Sequence, residues 1–501
     1  MLLLVDQPWQ ANLGLKISNE LMRQNSDFKF TMVFTDYFTF FLRKDYLSGI
    51  KNAFIGDVIT QEELYATWQN DSNELKFDYR FLSDWESTNC SNRSLDEIAR
   101  TNQWLYGNER DRYQRRISSS WRKKILYDTI IWCENLFNRV EPNLIVSIER
   151  CTLPTNLLFQ IALRERTKFL TFVPSRVGNR WIIREDLAYG MSEELYEDII
   201  SHFSSTTSLE TAKAFASDMQ VNRYGSYRSQ SHIIVGESFE KRKALFLNLR
   251  LELRKWLGRV YGRIFIQPKE RSITANRLLE NFIALSYVEL RKIVINYAHH
   301  FGIRLWGYSK VPSSHYFLWA LHMRPEGSVL VLGNAKDEIS ELLKAADQLP
   351  ENYFLAVKEN PEMFGLRERG FYRRLKRHKR IILIDPFFPT FPLIQESQGV
   401  IGISGTVLLE AALFDKPSCA LGHPEFVGFL AESGWESSRQ FFLKAIVGDY
   451  QDMRARILPY LAYILANSDE LGIPFEGDLD TSEAQAMVEN FARRILDYAA
   501  H

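Results

Sequence analysis

The chain opens with a continuous apolar run, Leu2 to Val5, closed by Asp6. An uninterrupted run of this length reads as a strand buried on both faces, the kind found in parallel sheets. The short polar stretch Gln7 to Gly14 leads into helical spacing from about Leu15 to Arg23, and Phe28 to Phe34 reads as a second strand. This β-loop-α-β opening is repeated further along. Residues 126–138 have helical spacing, Pro142 ends it, and Leu144 to Ile148 is again a buried strand. A helix over 155–165, a strand over 168–173 and the loop Pro174 to Arg180 follow. Alternation of apolar runs with 3.6-periodic segments predicts an α/β fold with parallel sheets.

The same alternation returns after residue 316. Strands are expected at Phe317–His322, Phe354–Lys358, Ile381–Ile384 and Gly399–Ile403, with helices at about 336–347, 367–377, 391–396 and 405–414. Between the two α/β stretches, residues 193–300 read as mostly helical, and Gly302, Gly307 and Pro312-Ser313-Ser314 mark a boundary near 300–315. The expected organisation is an N-terminal domain over 1–310 with a helical insertion at about 193–300, a second domain over 311–480, and a tail helix within 481–501 packing back. The tail helix opens on a capping-box pattern, Ser482-x-x-Gln485.

A chain of 501 residues exceeds one typical core, which agrees with two domains. Lys+Arg and Asp+Glu both number 62, so global charge gives no argument for nucleic-acid binding. The four cysteines, Cys90, Cys133, Cys151 and Cys419, form no CxxC pair, which argues against a disulfide framework or zinc site and fits a reducing cytoplasm. No run approaches the roughly 18 apolar residues of a membrane span. The basic, leucine-containing segment Lys241–Arg263 has two readings: a solvated helix with one face in a core, or a peripheral contact with the inner face of the cytoplasmic membrane.

Candidate chemistry gathers at the expected strand ends, where open parallel sheets present groups to ligands. Gly402-Ile403-Ser404-Gly405-Thr406 runs from a strand into a helix, and the amides of such a helix start can hold a phosphate. Ser404 and Thr406 add hydroxyls, Gly405 allows close approach, and Glu410 lies one turn on, within reach of a ribose hydroxyl. The bland alternative is an ordinary strand-turn-helix capped by Ser404, with Glu410 exposed. Lys358-Glu359-Asn360-Pro361 supplies a cation for phosphate and an amide for a base or ribose, or is a charged turn. His322-Met323-Arg324-Pro325-Glu326 offers a bidentate anion donor in Arg324 and a base, nucleophile or electrostatic stabiliser in Glu326. His322 reads equally well as a satisfied histidine in the sheet. In the first half, Asp6, Glu149 and Arg176 stand at or just past strand ends, as cleft residues or as caps and ion pairs. Asp478-Leu479-Asp480 matches a DxD pattern but follows Pro474 and Gly477 in a loop. HExxH, Walker A and GxGxxG patterns are absent, so no essential metal and no cofactor are expected.

The residues HMRPE, YFLAVKENP, GLRERGFYRRL, PTFPLI and SGTVLLEAALFDKP resemble the bacterial capsule polysaccharide biosynthesis family, which includes Kdo transferases. The resemblance is strong over about 316–426 and weaker over 144–190. It implies a GT-B arrangement, two Rossmann-like domains facing a cleft, with the nucleotide held by the C-terminal one and no bound metal. It implies a cytoplasmic glycosyltransferase of surface-polysaccharide synthesis, moving a sugar from a nucleotide-sugar donor, CMP-Kdo in the family, to a glycan or lipid-linked acceptor. On that resemblance, Arg324, Lys358, Asn360, Pro361, Ser404, Gly405, Thr406 and Glu410 are donor residues. Glu326, Glu149 and Asp6 are candidate catalytic carboxylates, and Arg176 belongs to the acceptor side. The chain departs from the family at two points. Arg324 replaces the usual Gln before Pro-Glu. Asn360 replaces the His of Lys-Glu-His-Pro, which in the family contacts the donor phosphate. A sugar-nucleotide 2-epimerase, which shares the architecture, and a non-catalytic partner in a synthesis or export complex are the rival readings.

Overall fold

A computed structural model of the chain describes residues 1–5, 8–35, 44–61, 64, 78–90, 94–100, 119–148, 152–178, 180–185, 190–222, 253–254, 256–257, 290–295, 298, 315–323, 332–333, 337–367, 370–434, 437–470 and 482–500. The described chain divides into two compact units. The first comprises 1–105, 117–189 and 464–501, the second 106–116 and 190–463. The division therefore falls after Tyr189, and the helical residues 190–222 count with the second unit. The glycine- and proline-marked stretch read as a boundary lies outside the described residues as far as 314, as does nearly all of 241–263.

In the first unit, β1 (Leu2–Val5) leads through α1 (Pro8–Gln24) to β2 (Thr31–Phe34), and α2 (Lys44–Ala53) leads to β3 (Asp57–Ile59). Helices α3 (Tyr79–Asn89), α4 (Leu95–Arg100) and α5 (Ser119–Val140) precede β4 (Leu144–Ser147). Next come α6 (Leu153–Glu165) and a hairpin of β5 (Lys168–Pro174) and β6 (Arg180–Arg184). Thr152 caps α6 by accepting from the Thr155 amide, and a proline occupies its first turn, where no intrahelical N–H partner is lost.

The second unit begins with α7 (Glu193–Phe203) and α8 (Thr206–Asn222) and resumes at β7 (Tyr316–Ala320). It continues as α9 (Glu338–Asp347), β8 (Phe354–Lys358), α10 (Phe371–Arg377), β9 (Ile381–Ile384), α11 (Thr390–Glu396), β10 (Val400–Gly402), α12 (Thr406–Leu413) and β11 (Ser418–Ala420). The two-residue β12 (Glu432–Ser433), α13 (Ser438–Val447) and α14 (Met453–Asn467) complete it. The chain then returns to the first unit with β13 (Asp469–Glu470) and α15 (Ser482–Ala500).

Strand order in the first unit is β13-β6-β5-β4-β1-β2-β3, with β5-β4-β1-β2-β3 parallel and β6 and β13 antiparallel at one edge. In the second it is β12-β11-β10-β7-β8-β9, parallel throughout. Each sheet grows outward from its first strand in one direction and then reverses to the other side, the order of a doubly wound Rossmann-like unit. The reversal falls between β1 and β4 in the first unit and between β7 and β10 in the second. β1 is wholly apolar and buried, and β7 is buried from Tyr316 to Trp319, as helices on both faces require. The tail helix α15 packs on α1 within the first unit, and Phe491 meets Phe172 of β5 edge-on at 4.7 Å. Among the described residues, no helix is long and apolar enough to cross a membrane.

Candidate functional site

The C-terminal ends of the parallel strands of the second unit carry its densest set of buried polar side chains. β7 ends at Ala320, and His322 follows it with only 6% exposure. The peptide N–H of His322 donates to Glu338 Oε1 at 3.0 Å, and its Nδ1 lies 3.1 Å from the same oxygen. Glu338, at the first turn of α9, is fully buried. On the other side of the ring, Nε2 accepts from the Ser404 amide at 3.3 Å. These two bonds fix the tautomer: the proton is on Nδ1 and the lone pair on Nε2 faces the turn after β10.

Arg367 is completely buried beneath these groups. Its fork grips Glu359 through Nε to Oε2 at 2.8 Å and Nη2 to Oε1 at 2.9 Å. Nη2 also donates to the His322 carbonyl at 2.6 Å, and Nη1 reaches Glu338 Oε2 at 3.4 Å. The Tyr372 hydroxyl donates to Glu359 Oε2 at 2.6 Å, and the Asn360 amide donates to Glu359 Oε1 at 2.7 Å. The guanidinium carbon lies 4.9 Å from the centroid of the Phe371 ring. A buried guanidinium is tolerated only with such partners, because desolvation is offset by paired charge and filled hydrogen-bonding positions. Glu359 therefore anchors the turn after β8, fixing where Asn360 and Pro361 begin their 3-10 turn (Pro361–Met363).

Lys358, the last residue of β8, is 5% exposed, and its ammonium donates to the Pro386 carbonyl at 2.9 Å in the loop after β9. Burial pushes its pKa down to about 8 against the opposing attraction of Glu359 and Asp385. The charge there is held at low dielectric, where its field on a neighbouring anion is poorly screened.

The Ser404-Gly405-Thr406 turn joins β10 to α12. Gly405 is the N-cap, and no side chain caps the helix start. Ser404 is buried with its own partners, so the capping role open to it in the sequence falls to glycine instead. A Cβ on Gly405 would meet His322 Nε2 at 3.2 Å. Glu410 is 3% exposed in an otherwise apolar helix and has partners of its own, so it is not the exposed residue of the bland alternative.

The structure thus brings Lys358, Asn360, Pro361, Ser404, Gly405 and Thr406 to one edge of one sheet, with Glu410 on the helix that begins there. Arg324 and Glu326, and Asp6 and Glu149 of the first unit, lie outside the described residues, as do Asp478 and Asp480. Arg176 stands in the β5–β6 hairpin with a left-handed φ of 63° and 9% exposure, and it has partners of its own. Sequence reasoning missed the Arg367–Glu359–Glu338–His322 cluster. His322, Glu359 and Arg367 stand in three of the segments the sequence singles out, HMRPE, YFLAVKENP and GLRERGFYRRL, but nothing there joins them to one another or to Glu338. Among the described residues, no three His, Cys, Asp or Glu side chains are grouped to hold a metal ion.

No family model and no curated protein matches the chain. Among solved structures it is similar to many, of which three illustrate the range. The UDP-GlcNAc 2-epimerase of Neisseria meningitidis bound to UDP-GlcNAc shares 12% identity over 93% of this chain and 98% of that one, with a TM-score of 0.27. The UDP-GlcNAc 2-epimerase of Methanocaldococcus jannaschii in complex with UDP-GlcNAc and UDP shares 12% over 99% of each, with a TM-score of 0.29. A glycosyltransferase from Rickettsia africae shares 9% over 99% and 98%, with a TM-score of 0.25. Identities and scores of this size carry no assignment of activity.

Proposed function

We propose that this chain is a glycosyltransferase that takes a sugar from a nucleotide-sugar donor, with the donor phosphate held at the C-terminal strand ends of the second unit. One observation carries the reading. At the switch point of an all-parallel sheet, the glycine-capped start of α12 lies on the strand edge that also carries the buried Lys358 ammonium. Amides at a helix start and a cation in a poorly screened setting stabilise an anion that gains charge as a glycosidic bond breaks. The Ser404 and Thr406 hydroxyls and the Asn360 amide supply further donors on this reading, and Glu410 binds the ribose.

The likeness to the capsule polysaccharide family supports the finer reading: surface-polysaccharide synthesis at the cytoplasmic face of the membrane, with a glycan or lipid-linked acceptor. Glu326 is proposed as the carboxylate acting on the acceptor or the anomeric carbon, with Asp6 and Glu149 as the first unit's contributors and Arg176 on the acceptor side. Arg324 joins the donor set. Since Asn360 cannot carry the charge of the family histidine, Lys358 and the α12 amides hold the phosphate without it.

A thermal-shift panel of CMP, CDP, UDP, GDP and their sugars tests this. A ligand at one hundred times its dissociation constant stabilises by about 2.7 kcal/mol, enough to move a melting midpoint. CMP is the expected binder; a UDP or GDP response keeps the transferase and changes the donor. Silence across the panel, with and without oligosaccharide acceptors, would remove the donor site. Binding without sugar transfer to any acceptor would leave the non-catalytic reading in its place, and turnover without acceptor would point to an epimerase.

A further inference from the structure

The bond between the Ser404 amide and His322 Nε2 crosses the switch point, because Ser404 follows β10 and His322 follows β7. It holds a backbone amide next to the α12 start, the segment that would face a phosphate. The imidazole is itself held: Glu338 accepts its Nδ1–H and its peptide N–H, and Arg367 takes its carbonyl. Glu338 and Arg367 belong to the cluster that includes Glu359, which fixes the Asn360 turn. Gly405 lies against the same ring nitrogen, with room for no more than a hydrogen there without displacement.

We infer that His322 is the positioning residue of the Ser404–Gly405–Thr406 turn, coupling it through Glu338 and Arg367 to the Lys358–Asn360 turn so that the two halves of the anion site keep one geometry. The inference rests on the phosphate-holding reading of that turn for its functional consequence, and not for its structural content. His322 touches no donor on this account. It acts through the Ser404 amide, whose N–H it occupies, and its contribution is to hold the turn so that the amides at the α12 start keep their direction before an anion arrives.

Two substitutions in the full-length protein separate positioning from packing. In His322→Gln the terminal amide sits near the former Nε2, so its oxygen can still accept from Ser404; the Nδ1 bond to Glu338 is lost, but the peptide N–H to Glu338 and the carbonyl bond from Arg367 remain and keep the coupling. In His322→Asn the amide sits near the former Nδ1, so it can still donate to Glu338, while the Ser404 bond is lost. Amide hydrogen exchange over residues 404–406 reads the turn directly, and titration with CMP and UDP reads its use. The expected result is slow exchange in wild type and His322→Gln, fast exchange in His322→Asn, and nucleotide affinity weakened roughly fivefold in Asn but held in Gln, the size of one hydrogen bond. Equal exchange and equal affinity in the two variants would overturn the inference. Should wild type bind neither nucleotide, the donor reading fails alone and the exchange experiment still decides this one. If either variant does not fold, 15N-histidine spectra of the wild type decide instead: a proton on Nε2 rather than Nδ1 of His322 would exclude acceptance from Ser404.

Discussion

The two sheets share a strand order and differ in what stands behind their strand ends. In the first unit, neutral groups close two of the described strand ends: Thr35 Oγ1 donates to the Val5 carbonyl at 3.2 Å, and Ser175 closes its hairpin onto the Arg180 carbonyl at 2.9 Å, with Arg176 beside it as a buried charge. Its main ion pair between helices, Arg164 with Glu134 at 2.8 Å, is partly exposed at 28% and 20%. In the second unit, Arg367, Glu338 and Glu359 are essentially sealed from water directly under the strand ends. A buried cluster of this kind adds little net stability over an apolar one, and its benefit is a single fixed arrangement of the loops it ties. One fold therefore carries one edge with no described ion cluster and one backed by a sealed ion cluster, and the proposed anion site belongs with the second.

The largest break in that comparison is Arg367→Met. Losing the guanidinium leaves the buried Glu338 and Glu359 carboxylates without their cation and the His322 carbonyl without its donor, and a loss of about 3–5 kcal/mol in unfolding free energy is expected. Arg164→Met, which breaks the partly exposed pair, is expected to cost only about 1–2 kcal/mol. Urea midpoints of the two variants check the ratio; equal losses would mean the buried cluster is no more constrained than the surface pair.

The second break is in pH. Lys358 titrates at about 8 in the fold because of burial, against 10.5 ordinarily. Below pH 8 it is charged in both states, and the burial penalty is complete. Between about 8 and 10.5 the folded side chain is neutral while the unfolded one still binds a proton, so stability rises with pH. Relative to Lys358→Met, wild type should gain up to about 3 kcal/mol across that window. The other alkaline groups are common to both proteins and cancel in the difference. A parallel pair of curves would show that Lys358 is not held in a dry site.

How far this was legible in the sequence follows from range. The strands of the second unit read correctly from their apolar runs: Phe354–Lys358 and Ile381–Ile384 fall where expected, since a strand buried on both faces leaves no polar alternation to misread. The helix after Ser404 was equally visible. The antiparallel edge was not: Arg180–Arg184 is only three apolar residues between two arginines, and β13 is two residues brought from the far end of the chain. The ion cluster was least legible. His322 and Glu359 follow two different strands, Glu338 opens a helix and Arg367 precedes another, and each taken alone reads as an ordinary strand-end, turn or helix-end residue. Only the sheet order puts them together, and a sequence shows charge type without showing which charges share a buried space.

A smaller effect sharpens the comparison at the site itself. Ser404→Ala/Thr406→Ala removes both hydroxyls from the α12 start but leaves its amides and Gly405 in place. Nucleotide affinity is expected to fall about tenfold, with a lowered melting midpoint of the still-folded free protein, because Ser404 is buried with partners of its own. A calorimetric titration checks it, and unchanged affinity would take the turn out of the site.

The smallest test uses helix ends. In the second unit α13 ends on Gly448, with φ at 78°, where glycine carries no steric cost. In the first, α6 ends on Arg166 in the same left-handed region at φ 55°, with an exposed side chain. The backbone there is committed by the Arg166 amide to the Ala162 and Leu163 carbonyls, so the strain is held by the helix end and not by the side chain. Arg166→Gly should relieve it and stabilise the first unit by about 1 kcal/mol, less the extra entropy that glycine gives the unfolded chain. A small upward shift of the melting midpoint, with nucleotide affinity in the second unit unchanged, is the expected outcome. Loss of stability would mean that the arginine side chain holds the end of α6 more firmly than its exposure indicates, and the contrast between the two units would need to include it.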